Sequence, residues 1–211
     1  MMKRIFLAVL MVCLTLPVWA ASADDVIKEV QKTYTSIKEV TADYQQNFVW
    51  EMAGESVENA GKIWAKEGSK FRIDNQDQTI VTDGKTLWTL SKVNKQVMID
   101  EYNRNNRDNP FIRSFMDDYL NNYKASLMGK EKIDDRDHFV LELVAINPDE
   151  FNRKVTIWVD NKTNYMTRIV QTDINGNKRI YTFSNIQTGV DLNDDLFEMD
   201  IPEGYEAVDM R

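Results

Sequence analysis

From Thr41 to Met199 the chain breaks into short segments that alternate apolar and polar residues and end at turn signals. A period of two with such punctuation restricts the chain to hairpin-linked strands with one apolar face. Tyr44, Phe48, Trp50 and Met52 alternate with mostly polar neighbours, and residues 54–59 read as a turn. Residues 61–66 resume as a strand, Gly68-Ser69 turns the chain, and Phe71 and Ile73 alternate with Arg72 and Asp74. Asp83-Gly84 joins strands at 79–82 and 86–90, and a further strand covers 96–100. Strands follow at 124–128, 138–144, 155–159 and 166–173. Asn175-Gly176 then precedes 178–186, and 196–199 is a last short strand. Asp-Gly and Asn-Gly mark hairpins because both positions accept positive φ.

Two stretches carry helical spacing instead. In 24–38, Val26, Ile27, Val30, Tyr34 and Ile37 fall on one face, with Asp24 or Asp25 as the cap. A polar, Asn- and Arg-rich loop covers 103–109. Asn109 and Pro110 then start a helix with a broad stripe of Phe111, Ile112, Phe115, Met116, Tyr119, Leu120 and Tyr123. About ten strands and two helices, with no strand–helix alternation, predict a mainly β (α+β) domain on a single curved antiparallel sheet. Two short helices do not fill the concave side of so large a sheet, and an unfilled apolar concavity suits a hydrophobic ligand.

The ends and the composition narrow the setting. Lys3 and Arg4, the apolar run 5–16, Pro17 and Ala21-Ser22-Ala23 have the layout of a secretory signal peptide cleaved after Ala23, leaving 24–211 as one domain. The single cysteine, Cys13, lies inside that run with Val12 before it, which is not the setting of a lipidated cysteine. The mature chain is then free of cysteine and of disulfides. Removing Lys3 and Arg4 leaves 24 basic against 34 acidic residues, a net charge of −10. That balance argues against nucleic acid as a partner and against electrostatic attachment to anionic headgroups.

Catalytic constellations are not visible. His138 is the one histidine and reads as structural. Asp134-Asp135 and Asp194-Asp195 sit beside turns and read as solvated loops. Asp173, Asn175 and Asn177 around Gly176 read as a hairpin, not a calcium loop. No metal or other cofactor is implied.

An ordered series of motifs carries a resemblance. Tyr34, Ile37, Ala42, Tyr44 and Gln46 are followed by Gly61-Lys62-Ile63-Trp64-Ala65-Lys66 and by Val81-Thr82-Asp83-Gly84-Lys85-Thr86-Leu87-Trp88. Lys95-Gln96-Val97, Arg168-Ile169, Asp173, Gly176-Asn177, Tyr181-Thr182-Phe183, Leu196-Phe197 and Pro202-Glu203-Gly204 complete it. In this order the chain resembles the LolA-type outer-membrane lipoprotein carriers across nearly the whole mature length. The resemblance implies an incomplete barrel with a helical lid over an apolar cavity. It further implies a monomeric periplasmic chaperone, not an enzyme, that takes acylated lipoproteins from an inner-membrane ABC transporter to an outer-membrane receptor where one exists.

On that reading Phe48, Trp50, Ile63, Phe71, Ile73, Leu87, Val97 and Ile99 line the concave face. Phe111, Ile112, Phe115 and Met116 form the inner face of the lid. The family often has W-x-K-R-P after the second strand, with the arginine latching the lid. Here Trp64-Ala65-Lys66-Glu67-Gly68 puts Glu67 at the arginine position, and Glu67 and Arg72 are the candidate latch. Two other classes remain open: a lipid- or glycolipid-binding or lipoprotein-sensing protein of the same architecture, and a secreted enzyme. The enzyme would need convergent titratable groups.

Overall fold

The computed structural model describes residues 21–102 and 122–211. Helix α1 (Ala23–Ser36) leads into β1 (Glu39–Trp50), β2 (Glu55–Lys66), β3 (Lys70–Asn75), β4 (Gln78–Thr82), β5 (Thr86–Ser91) and β6 (Gln96–Glu101). After the undescribed residues come β7 (Tyr123–Ile133), β8 (Arg136–Ala145), β9 (Asn152–Asp160), β10 (Met166–Asp173), β11 (Lys178–Thr188) and β12 (Glu206–Asp209). These form one sheet in the order β12-β6-β5-β4-β3-β2-β1-β11-β10-β9-β8-β7. Neighbouring strands are joined by hairpins at all but two places: β1 sits between β2 and β11 and so joins the two halves, and β12 returns from the end of the chain to pair with β6.

The register carries the alternation across every strand. Ala42 stands opposite Ile63, Ile63 opposite Ile73, and Ile73 opposite Ile80. On the other side Tyr44 faces Phe183, Ile169 faces Ile157, and Ile157 faces Leu141. Directly opposed residues share a face, so these side chains make one apolar surface. Helix α1 lies on that surface and buries Val26, Ile27 and Val30 in the same cluster as Phe71, Leu141, Val155, Ile157 and Phe183. The sheet therefore curves around α1, with this face concave. Tyr34 fixes the far end of the helix: its hydroxyl accepts the Met166 amide at 3.0 Å.

Four expectations change. The cap of α1 is Ser22, not Asp24 or Asp25. Its hydroxyl accepts the Asp25 amide at 3.2 Å, while the Asp25 carboxylate accepts the Ser22 amide at 3.1 Å. Residues 54–59 are not all turn. β2 begins at Glu55, because its backbone pairs with β1 out to Trp50 whatever the polarity of its side chains. Residues 196–199 are not a strand: Asp194–Phe197 is a short 3₁₀ turn capped by Asn193, and it plants Phe197 in a fully buried site. Finally, β12 pairs parallel with β6, so the sheet is not wholly antiparallel. Its register runs from Glu206 opposite Gln96 to Asp209 opposite Ile99. Of the predicted second helix, Phe111, Ile112, Phe115 and Met116 lie outside the described residues, and Tyr123, expected in its stripe, opens β7 instead.

Gly61 shows how closely β2 and β3 approach. A methyl group built there would collide with the Asp74 carbonyl oxygen. Among the described residues no helix is long and apolar enough to cross a membrane.

Candidate functional site

The concave face is the candidate site, and the ladders decide which residues reach it. Phe48, Trp50, Ile63, Phe71, Ile73 and Leu87 all share it. Phe71 and Ile73 are buried in the core cluster, and Ile63 and Leu87 pack against it half-buried. Phe48 and Trp50 form an edge-to-face pair, with centroids 4.4 Å apart, near the β1–β2 hairpin. Trp50 is 39% exposed, so the face is open to solvent at that end.

Val97 and Ile99 are not on it. Leu87 on the concave face pairs with Asp100, whereas Ile99 pairs with Trp88 and Val97 with Leu90. Alternation turns Val97, Ile99, Leu90 and Val81 to the outer face. There Val81 and Val97 are fully buried, like Phe197 of the 3₁₀ turn. The expectation failed because the apolar residues of β6 fall on its outer face while its concave face carries Gln96, Met98 and Asp100, and periodicity alone does not say which face is which.

Arg72 is no latch for the concave face. It too lies on the outer face, where it donates to the Leu196 carbonyl at 3.4 Å and approaches Asp74 at 3.5 Å. It belongs to a set that holds the strap 189–205 onto the sheet. Lys66 donates to the Leu192 carbonyl at 2.8 Å and pairs with Glu39 at 3.2 Å and with Asp194 at 2.9 Å. Lys70 pairs with the other oxygen of Asp194 at 2.9 Å. The hydrogen bonds from Lys66 and Lys70 hold the Asp194 carboxyl down to about 2. Asp194, expected in a solvated loop, is solvent-exposed and also anchors the strap.

Glu67 stands at the β2–β3 turn, where its amide donates to the Lys38 carbonyl at 2.7 Å. It lines a cleft of about 560 Å³ at the C-terminal end of α1, with Lys38, Glu39, Tyr165 and Asp191. A second cleft of about 510 Å³, lined by Gln45, Asn47, Glu58, Asp77, Arg168 and Thr182 among others, is polar and has no acyl-binding character.

The titratable groups have structural work. His138 is buried, with Nδ1 3.0 Å from the Arg136 carbonyl oxygen, in the strand pair that places it opposite Asp160. Burial acts to raise the Asp160 carboxyl. The Lys162 and Thr163 amides and Arg136 outweigh it and hold the group below the usual range. Asp74 follows the same logic, with burial opposed by Lys92 and Thr79. Asp173 accepts the Asn175 and Asn177 amides as a hairpin turn. Among the described residues no group of three His, Cys, Asp or Glu is placed to hold a metal ion.

The second half of the concave face was not singled out from the sequence. Tyr123, Phe139, Leu141, Leu143, Val155, Ile157, Ile169, Tyr181 and Phe183 supply it. Residues 139–143 and 155–159 have apolar residues at every second position, but Val140 and Trp158 between them blur the alternation. What was missing was the β1–β11 pairing that brings this half onto the same surface.

An unclosed, strongly curved sheet wrapped around a helix, apolar within and open at one end, defines a binding scaffold. The profile of the family described as "Outer membrane lipoprotein carrier protein LolA" matches residues 35–200, and the chain belongs to that family. A relative named outer-membrane lipoprotein carrier protein, from Vibrio parahaemolyticus, is 28% identical over 219 residues covering 100% of both chains. Another, from Actinobacillus succinogenes, is 27% identical over 97% of this chain and 94% of its own length. An uncharacterized protein of Methanocaldococcus jannaschii is 28% identical over 89% of this chain, which spans 54% of that relative. In fold, the chain matches an uncharacterized conserved protein from Thermus thermophilus with a TM-score of 0.61 and 12% identity, over 89% of this chain and 98% of the other. It matches MucB with a TM-score of 0.52 and 14% identity, over 84% of this chain and 62% of MucB.

Proposed function

We propose that the chain is a periplasmic carrier that buries the acyl chains of lipoproteins released from the inner membrane and delivers them to the outer membrane. The observation that carries this reading is the single apolar concave face running from Ile63 and Phe71 through Tyr44 and Phe183 to Leu141. Burying a methylene is worth about 0.8 kcal/mol, so a lipid anchor with two or three long chains is held in water only at a cost of tens of kcal/mol. A carrier substitutes an apolar surface for the bilayer interior. It must also release its cargo, and a cover that competes for the same surface lowers net affinity without removing contacts. The reading places Phe48, Trp50, Ile63 and Leu87 against the cargo, with Phe111, Ile112, Phe115 and Met116 as the competing cover. It takes Glu67 as the latch residue and Phe71 and Ile73 as the floor. The chemistry is binding, with no reaction and no cofactor. The partners are a lipoprotein-releasing ABC transporter and, where one exists, an outer-membrane receptor.

The test is native mass spectrometry of the mature protein purified from the periplasm of cells making a tagged lipoprotein. A one-to-one complex, lost when the lipoprotein's acylated cysteine is changed to serine, supports the carrier. Copurifying phospholipid or glycolipid without lipoprotein replaces it with a lipid transporter on the same scaffold. A consistently empty protein removes both.

A further inference from the structure

Polar side chains interrupt two neighbouring rows of the concave face, Asn59 and Gln46 beside Tyr181 in the row nearer α1 and Arg179 and Gln171 in the next. Across the sheet the register aligns Val57, Phe48, Arg179, Gln171, Val155, Leu143 and Ala125. Five of these are apolar, and a guanidinium and an amide stand side by side in the middle. Arg179 is exposed, and its charged group lies 5.6 Å from the Phe48 ring centroid. Among the described residues no carboxylate is within ion-pair distance of it. On one side of this row, toward α1, lie Tyr181, Phe183, Ile157 and Leu141; on the other lie Trp50 and the β1–β2 and β10–β11 hairpins.

An apolar ligand laid over this row would strip water from a guanidinium that has no carboxylate partner among the described residues, which is costly unless the ligand brings an acceptor. We propose that Arg179 binds acceptor oxygens at the polar end of acyl chains, and that these are the ester carbonyls of a glyceryl-linked anchor. A guanidinium only donates, through its N–H groups, and ester carbonyls only accept. This inference rests on the carrier reading and deepens it. It orients the cargo, with tails directed toward α1 and the attached polypeptide leaving past the two hairpins.

The experiment compares a synthetic dipalmitoylglyceryl-cysteine peptide with its ether-linked twin, which has the same chains and lacks both carbonyls. Affinities are measured by calorimetry on the mature protein, on Arg179→Met and on Arg179→Lys, with folding checked by circular dichroism. The wild type is expected to prefer the ester about tenfold, the order that one charge-assisted hydrogen bond supports. Arg179→Met is expected to bind the twins equally, and Arg179→Lys to keep part of the preference. An ester preference that survives in Arg179→Met, or is absent from the wild type, overturns the assignment while leaving the carrier intact. A loss confined to dipalmitoylphosphatidylglycerol, with the ester-to-ether ratio unchanged, overturns it in favour of phosphate recognition. Failure of the wild type to bind either twin defeats the carrier reading itself.

Discussion

Lys66 holds one oxygen of Asp194 at 2.9 Å while Lys70 holds the other, so two neighbouring strands clamp a single carboxylate of the crossing strap. The clamp has a pH signature. A carboxyl lowered to about 2 in the folded chain stabilises it above the unfolded value, and that contribution disappears as the pH falls through the folded value. Thermal unfolding of wild type and Asp194→Asn should therefore differ by a constant amount at pH 5 to 7. The two should converge between about pH 4 and pH 2. The difference should also shrink in about 1 M salt, since the carboxylate is solvent-exposed. A gap that persists at pH 2 would assign the effect to something other than the charge.

The N-terminus gives a second prediction. Ser22 and Asp25 cap α1 reciprocally, so a chain beginning at Asp24 lacks half the box. Compared with a chain beginning at Ser22, it should lose about 1 kcal/mol, or about 2–4 °C in Tm. Equal melting temperatures would show that the cap is not stabilising.

Gly61→Ala should be severe for its size. The added methyl meets the Asp74 backbone, which cannot rotate aside, and β2 and β3 must separate. A loss of about 2–4 kcal/mol in urea unfolding is expected, well above the usual cost of a surface change. A loss under about 0.5 kcal/mol would mean that the two strands can spread freely.

The two faces of β5 and β6 can be separated by paired variants. Val97→Ala removes buried outer-face volume and should lower stability by about 1–3 kcal/mol while acyl binding is unchanged. Leu87→Asp, on the half-buried concave face, should weaken acyl binding far more than it weakens the fold. Titration of a fluorescent fatty acid reports the first quantity and urea unfolding the second. The face assignment fails if the two variants exchange effects.

Most strands were legible because period-two alternation survives wherever one face is wet, as in residues 70–74. Legibility ended where that condition ended. Residues 55–59 look like a turn because their side chains are almost all polar, yet ladder bonds to β1 make them strand. Leu196 and Phe197 have the hydrophobicity of a strand, but Asn193 caps the turn that contains them. β12 is four residues long and is chosen by the free edge of β6, a long-range partner that no local pattern announces. The same limit governed the candidate site. The concave face can be recognised strand by strand, but which side Val97 or Arg72 takes depends on registers inherited through five hairpin ladders.

The placement of β1 sets a delay in the life of every copy. One edge of β1 is satisfied within a few residues by β2, but the other waits for β11, so that Tyr44 meets Phe183 only after about 140 more residues have been made. Until β11 is in place this leaves a long strand with an unpaired flank. Non-local pairing of this kind also makes folding slow. During that interval the young chain is a strand donor in search of a partner, and anything that shields nascent polypeptides from one another determines how much of it reaches the finished sheet.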